Sequence, residues 1–264
     1  MADPSSNDPD GTYFTLLGDA DPVDVVDDNR LYALYAYPAV AERCVVRGNM
    51  IASLDGGAST DGTSGGLGGA GDRRLFRVLR ELADVIVVGA GTAHGEGYSG
   101  AQMTVAQRGN RQRRGQSEVP PIALVTRSGR VDNDWPVLTR TEVPPLVLTC
   151  ADVAADTGTR LGDAAEVVAC SGDDSAEVDP AVALAALAER GLRRALCEGG
   201  PTLMGTFIDH GLLDELCLTT APVLVGGEAP RIVGGAGQVL TAMRRTHLMS
   251  DAEGYLYGRY TRVG

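Results

Sequence analysis

Apolar residues fall along the chain in short β-branched runs, separated by amphipathic stretches and glycine turns. Val85-Ile86-Val87-Val88 is apolar at every position, the pattern of a strand covered on both faces. Ile122-Ala123-Leu124-Val125, Leu146-Val147-Leu148-Thr149, Val167-Val168-Ala169-Cys170 and Ala195-Leu196-Cys197 repeat it, and Cys44 to Ser53 also has strand character. Between these runs the period changes. Leu75, Val78, Leu79 and Leu82 mark one face of a helix, with Asp72 at its N-cap or first turn. A short helical stretch runs to Leu161. Pro180 to Arg190 opens on a proline, carries Val182, Leu184 and Leu187, and stops at Gly191. Thr202 to Ile208 predicts another helix, ended by Gly211. This βαβ succession predicts a largely parallel central sheet.

Towards the C-terminus the alternation stops. Glu215 to Pro222 reads as a strand with no clear helix after it, and Val223-Leu224-Val225-Gly226-Gly227 leads into a glycine loop. Thr246-His247-Leu248 and Tyr255 to Tyr260 predict a hairpin around Asp251-Ala252-Glu253-Gly254. The expected class is therefore α/β, a mixed, mostly parallel sheet flanked by helices with a C-terminal antiparallel hairpin. Residues 44–264 read as a single domain. Residues 1–12 are polar and expected to be disordered; residues 13–43, acidic with scattered Leu31, Tyr32, Leu34 and Tyr35, are expected to pack onto that domain as an extension.

Two stretches resist a regular reading. Gly56 to Gly71 holds eight glycines, so it is either a flexible surface loop or a loop that orders against a ligand. Residues 99–118 are polar, with Arg108, Arg111, Arg113 and Arg114, and read as a solvated excursion or as help with an anionic ligand.

Composition narrows the partners. The 264 residues are 44% apolar, enough for a substantial core. A formal charge of −12 argues against nucleic acid or an anionic membrane as the main partner. All 23 basic residues are Arg, a hint of a GC-rich genome rather than of function. The five cysteines (44, 150, 170, 197 and 217) are scattered, without a C-x-x-C pair, and suit buried free thiols better than disulfides or a metal site. The N-terminus lacks the basic and apolar regions of a signal peptide, and no apolar run approaches the roughly 20 residues that span a bilayer. A cytoplasmic location is expected.

Candidate chemistry gathers where predicted strands end. Glu198-Gly199-Gly200-Pro201-Thr202-Leu203 follows one strand and opens a helix, an arrangement that offers unpaired backbone N–H groups to a phosphate. Gly89-Ala90-Gly91-Thr92, Thr126 to Arg130 and Cys170-Ser171-Gly172 fall at equivalent places. Together they outline a crevice for an extended, phosphate-bearing ligand. The glycines, among them Gly89, Gly91, Gly199 and Gly200, could take a pyrophosphate, with Thr92 and Thr202 adding hydroxyl donors. Arg127 with Ser128, and Arg130 beside them, suit a 2′-phosphate and thus NADPH over NADH. No strict G-x-G-x-x-G follows the first strand, so a generic dinucleotide fold is a poor fit.

Asn49-Met50-Ile51-Ala52-Ser53-Leu54-Asp55-Gly56, Val88-Gly89-Ala90-Gly91-Thr92, Val125-Thr126-Arg127-Ser128 and Glu198 to Leu203 form an ordered series. It resembles the reductase domain of the bifunctional riboflavin-biosynthesis deaminase/reductase family, dihydrofolate-reductase-like in fold, and most of all its stand-alone actinobacterial members. The resemblance covers about residues 44–262. It implies a homodimer that uses NADPH to reduce 5-amino-6-ribosylamino-uracil 5′-phosphate or a related pyrimidine at C1′ of the opened ribose. It implies cofactor contacts at Ala52, Thr92, Glu96, Thr126, Arg127, Ser171, Gly199, Gly200, Pro201, Thr202 and Leu203. On the substrate side it implies Ser64, Leu67, Arg80 and Glu198, with Arg80 the expected phosphate partner.

Two departures from the family pattern stand out. H-x-E joined with P-C-x-x-C is missing, so zinc-dependent deamination is not expected. Gly66 replaces a bulkier residue, which would enlarge the substrate side. Asp72 lies roughly where dihydrofolate reductases keep a carboxylate for the pterin ring. With Glu198 it is a candidate catalytic group, able to hold an aminopyrimidine edge and assist protonation. Dihydrofolate or another pterin is the alternative substrate, and a nucleotide-binding paralogue without turnover is the non-enzyme alternative.

Overall fold

The computed structural model describes residues 12–17, 24–38, 42–235 and 237–264, so all but Thr12 of the segment expected to be disordered lies outside the described residues. In chain order, β1 (Phe14–Leu16), β2 (Asp24–Val26) and α1 (Asp28–Leu34) precede the long strand β3 (Val45–Ser53). There follow α2 (Ala70–Leu82), β4 (Val85–Gly89), α3 (Ala90–Gly95), α4 (Val105–Arg113), β5 (Ile122–Thr126) and α5 (Pro136–Thr139). Then come β6 (Leu146–Thr149), α6 (Ala151–Leu161), β7 (Glu166–Ala169), α7 (Pro180–Glu189), β8 (Arg194–Cys197) and α8 (Pro201–Asp209). The chain ends with β9 (Glu215–Ala221), β10 (Met243–Ser250) and β11 (Leu256–Arg262).

The eleven strands among the described residues share one sheet, ordered β2-β1-β10-β11-β9-β3-β8-β4-β5-β6-β7. From β9 through β3 to β7 the neighbours are parallel. From β9 through β11, β10 and β1 to β2 they are antiparallel. The expected mixed α/β class is what the chain adopts. The apolar run of β4 shows why it is central: Val85 and Val87 enter a core under α7 and α8, while Ile86 and Val88 enter a second core on the other face, with α3 and α5. Leu75, Val78, Leu79 and Leu82 of α2 are buried as their spacing requires, in a third core with Leu31 and Tyr35.

The N-terminal residues are more closely bound than a packed extension. β1 pairs with β10, placing Thr15 opposite Ser250, and Phe14 meets the Tyr257 ring edge-on at 4.9 Å. A buried charge network fastens the next turn. Arg47 on β3 has no exposed surface; its Nε donates to Glu215 of β9 at 2.6 Å and its Nη1 to the Tyr35 carbonyl at 2.6 Å. Arg259 of β11 donates to the other Glu215 oxygen at 2.7 Å and also to the Leu34 carbonyl. The polar stretch 99–118 holds a second buried arginine. Arg111 donates to the carbonyls of Glu81, Ala83 and Ser117, so it satisfies the C-terminal end of α2 instead of facing solvent or a ligand.

His247 of β10 is 8% exposed, and neither ring nitrogen has a hydrogen-bond partner. Burial, with Arg259 and Arg47 nearby, lowers its pKa to about 4. The unfolded chain therefore takes up a proton at about pH 6.5 that the folded chain refuses until about pH 4. Stability from this residue is complete above pH 6.5 and is lost as pH falls towards 4. His247→Phe should reduce the wild-type loss over that window by on the order of 2–3 kcal/mol, read from urea midpoints at each pH. Parallel pH profiles for the two proteins would refute it.

Candidate functional site

The C-terminal ends of the parallel strands open into a cleft with two lobes. The first, about 680 Å³, lies between Asn49, Met50 and Ile51 of β3, the glycine-dense segment, the first turns of α2, and Glu198. The second, about 570 Å³, lies between the ends of β4 and β5, the start of α7, and the start of α8. Gly91, Thr92, Gly200 and Pro201 line both lobes and form their common rim.

Glycine chemistry builds this rim. Gly199 has φ +88°, in the left-handed region, and the Gly199–Gly200 peptide is cis. The Gly199 carbonyl accepts the Gly89 N–H at 2.8 Å, drawing the two turns together. A Cβ on Gly200 would lie 2.2 Å from Thr92 Oγ1, so no side chain fits between them. A Cβ on Gly91 would meet nothing within 4 Å, so this glycine leaves open space at the junction of the lobes. α3 and α8 start side by side here without a side-chain cap, and Pro201 takes the first position of α8. Their first-turn N–H groups thus lack intrahelical acceptors beside the cleft.

Several expected cofactor positions fall on this surface. Gly89, Thr126, Arg127, Thr202 and Leu203 line the second lobe, with Gly91, Thr92, Gly200 and Pro201 on the rim. Arg127 is paired at the mouth with Glu177, 2.8 Å away. Others fall elsewhere, each for a local reason. Gly199 lies beneath the rim and shapes the turn. Ala52 is 8% exposed, opposite Thr220 in the sheet, and outside both linings. Ser128 is exposed outside the second lobe, its hydroxyl accepting the Arg130 N–H at 3.4 Å. The Ser171 hydroxyl accepts the Ala151 N–H at 2.8 Å and reaches the Glu177 carbonyl at 2.8 Å, which commits it to folding its own loop.

Glu96 belongs to the first lobe, not the second. Its carboxylate accepts the Ser64 N–H at 2.7 Å and ties the glycine-dense segment to the end of α3. That segment is structured: Thr60 bridges Thr63, and Gly57, Ser64 and Gly68 have defined partners or neighbours along the cleft wall. Gly66 does not widen the lobe. A Cβ there would lie 2.2 Å from Thr60 Oγ1, so the missing side chain allows a tight turn. Leu67 is buried behind the wall, where its carbonyl accepts the Tyr255 hydroxyl at 3.0 Å.

The charged wall of the first lobe also differs from expectation. Arg80 grips Glu198 through Nε and Nη2, both at 2.7 Å, and stacks 4.2 Å over the Phe76 ring. Tyr98 donates to the same carboxylate at 2.8 Å. Two of the Arg80 donors are thereby turned towards Glu198. Both Glu198 oxygens are engaged, which fixes the orientation of the carboxylate in the wall. Burial pushes the Tyr98 phenol well up, reinforced by Glu198. Asp72, half-buried in the first turn of α2, faces the lobe. Burial raises its pKa above the usual aspartate value; the nearby Thr219 hydroxyl, which makes no regular hydrogen bond, and Arg73 oppose the rise.

Residues that the sequence reading left unassigned complete the walls. Arg73, Phe76 and Arg77 lie with Asp72 on the α2 face opposite the buried stripe, so the helical period that located Leu75 and Leu79 could have found them. Tyr98, Glu177 and Pro230 carry no local signal; Pro230 reaches the cleft because its carbonyl accepts the Ala58 N–H at 2.8 Å.

Residues 45–257 match the model of the RibD C-terminal domain. The chain belongs to this family. It is 29% identical over 189 residues to a 2,5-diamino-6-ribosylamino-4(3H)-pyrimidinone 5′-phosphate reductase of Archaeoglobus fulgidus, covering 71% of this chain and 84% of that one. A reductase of the same description from Methanothermobacter thermautotrophicus is 29% identical over 190 residues, covering 72% and 83%. Among solved structures, a pyrimidine reductase-like protein of Corynebacterium diphtheriae superposes with TM-score 0.75 at 26% identity, covering 89% of this chain and 99% of that one. The two curated relatives are reductases, and the family to which this chain belongs is one of oxidoreductases. The region matched by the family model begins at β3, after β1, β2 and α1. Among the described residues, no helix is long and apolar enough to cross a membrane.

Proposed function

We propose that this RibD C-terminal domain is an NADPH-dependent reductase of a 6-ribosylaminopyrimidine 5′-phosphate, either the aminouracil or the diaminopyrimidinone form. The observation that carries the reading is the two-lobed cleft, with its glycine rim and uncapped α3 and α8. The second lobe suits the cofactor: the first N–H groups of α8 and the Thr92 and Thr202 hydroxyls are donors for a pyrophosphate. Gly91 leaves room where the lobes meet. Held there, NADPH would supply the hydride that, with one proton, would convert the imine carbon C1′ of the ring-opened ribosylamino group to that of a ribitylamino group.

The first lobe suits the substrate. Asp72 can accept two hydrogen bonds from an aminopyrimidine edge, and burial raises its pKa above the ordinary aspartate value, which favours a part in proton delivery. Arg73 and Arg77, one helical turn apart on the lobe wall, supply the positive charge for a 5′-phosphate. The half-buried Asp72 carboxyl equally favours a pterin, which makes dihydrofolate the second reading.

The deciding experiment is loss of dihydronicotinamide absorbance with each pyrimidine phosphate and with dihydrofolate. Oxidation with a pyrimidine phosphate supports the first reading. Oxidation with dihydrofolate alone supports the second, and cofactor binding without oxidation of either supports a non-catalytic paralogue. NADPH should also raise the melting temperature more than NADH. Arg127→Ala should cost about 1–2 kcal/mol of NADPH binding and abolish the difference. Equal shifts from both cofactors in the wild type would sink the role of Arg127.

A further inference from the structure

We infer that Glu177 sets the dinucleotide preference of the second lobe by competing with a 2′-phosphate for Arg127. The inference rests on the cofactor reading above. Arg127, leaving β5, and Glu177, in the loop between β7 and α7, face each other at the mouth of the lobe with Nη1 and Oε1 2.8 Å apart. They are the only ionisable side chains among the described residues that line this lobe. Every other lining group is apolar, a hydroxyl or backbone, so charge discrimination falls to this pair.

The loop that presents Glu177 is built, not loose. The Glu177 carbonyl accepts the Ser171 hydroxyl at 2.8 Å, and its N–H donates to the Asp174 carbonyl at 3.3 Å. Two residues on, the Asp179 N–H donates to the Cys170 carbonyl at 2.7 Å, and the Asp179 carboxylate caps α7. The carboxylate is therefore held opposite Arg127, while both side chains stay largely in solvent, 70% and 55% exposed. An ion pair so exposed opens at little cost. A 2′-phosphate that reaches Arg127 must displace Glu177 and then sit beside its negative charge. An unesterified 2′-hydroxyl meets the opposite situation, because it can donate to that carboxylate. The pair thus serves both cofactors and blunts the preference for the phosphorylated one.

The test is calorimetric titration of the full chain, wild type and Glu177→Gln, with NADP⁺ and NAD⁺. Glu177→Gln keeps the size of the side chain and removes the charge. The NADP⁺/NAD⁺ affinity ratio should rise by about fivefold, mainly through tighter NADP⁺, and the gain should shrink at high salt. Glu177→Asp, which keeps the charge, should leave the ratio near that of the wild type. A ratio unchanged or lowered by Glu177→Gln overturns the inference while leaving the cofactor reading standing. Failure of the wild type to bind either dinucleotide overturns both.

Discussion

Arg47→Leu should lose about 3–5 kcal/mol of stability in urea denaturation, the largest single-residue effect expected outside the cleft. The guanidinium is wholly buried between β3 and β9 and stacks 3.8 Å over the Tyr37 ring. Removing it leaves Glu215, itself 5% exposed, with Arg259 as its one charged partner, and strips the Tyr35 carbonyl of its donor. Although Arg259 still pairs with one Glu215 oxygen, the other oxygen and the Tyr35 carbonyl become buried acceptors without these donors, and their desolvation has already been incurred. The loss should be regional as well as global. Arg47 and Arg259 fasten the carbonyls at the end of α1, so hydrogen exchange in Asp28–Leu34 should accelerate first. Replacing Arg47, Glu215 and Arg259 together by Met, Leu and Met should recover much of the stability, since three apolar groups leave no orphaned charge. A loss under 1 kcal/mol for Arg47→Leu would show that the network is not what joins the N-terminal residues to the sheet.

That network also shows where the sequence stops being readable. β4 and α2 could be located because burial on both faces, or on one helical face, writes a periodic signal into neighbouring residues. The turns of the cleft rim were legible for a similar reason: a left-handed residue and a close approach of two turns both demand glycine, and Gly199 and Gly200 supply them. β1 and β2 have three residues each, and β1 joins the sheet by pairing with a strand more than 200 positions away while β2 pairs with β1, so no local period announces them. Arg111 looked solvated because its neighbours are polar, yet the carbonyls that bury it belong to the end of α2. Arg80 and Glu198 were each identified as substrate contacts. Their mutual pairing across 118 positions cannot be inferred from either segment. Ser171 likewise sits at a strand end as expected, but its hydrogen bonds go to its own loop.

Asp72→Asn should lower kcat by about 10²–10³-fold, the expected scale for loss of a positioned proton donor, while leaving NADPH binding intact. The two effects separate because Asp72 faces the first lobe alone and the proposed cofactor groups line the second. The pH profile supplies the sharper reading. Burial raises the Asp72 pKa, so the protonated form persists to higher pH than an ordinary aspartic acid would allow. Wild-type kcat should be held below that pKa and fall as pH rises through it. Asn cannot titrate, so the variant should lose this limb. Stability should move the other way. The folded chain disfavours ionised Asp72, a cost that grows as pH rises above the unfolded value near 3.9 and is absent in Asn. Asp72→Asn should therefore be as stable as the wild type at neutral pH, or more so. Lower activity with undiminished stability marks a residue kept for its chemistry, whereas a plain helix-cap aspartate would show the reverse. If kcat stays within threefold of the wild type with both a pyrimidine phosphate and dihydrofolate, Asp72 is no more than part of the first turn of α2, and proton delivery must come from elsewhere in the first lobe.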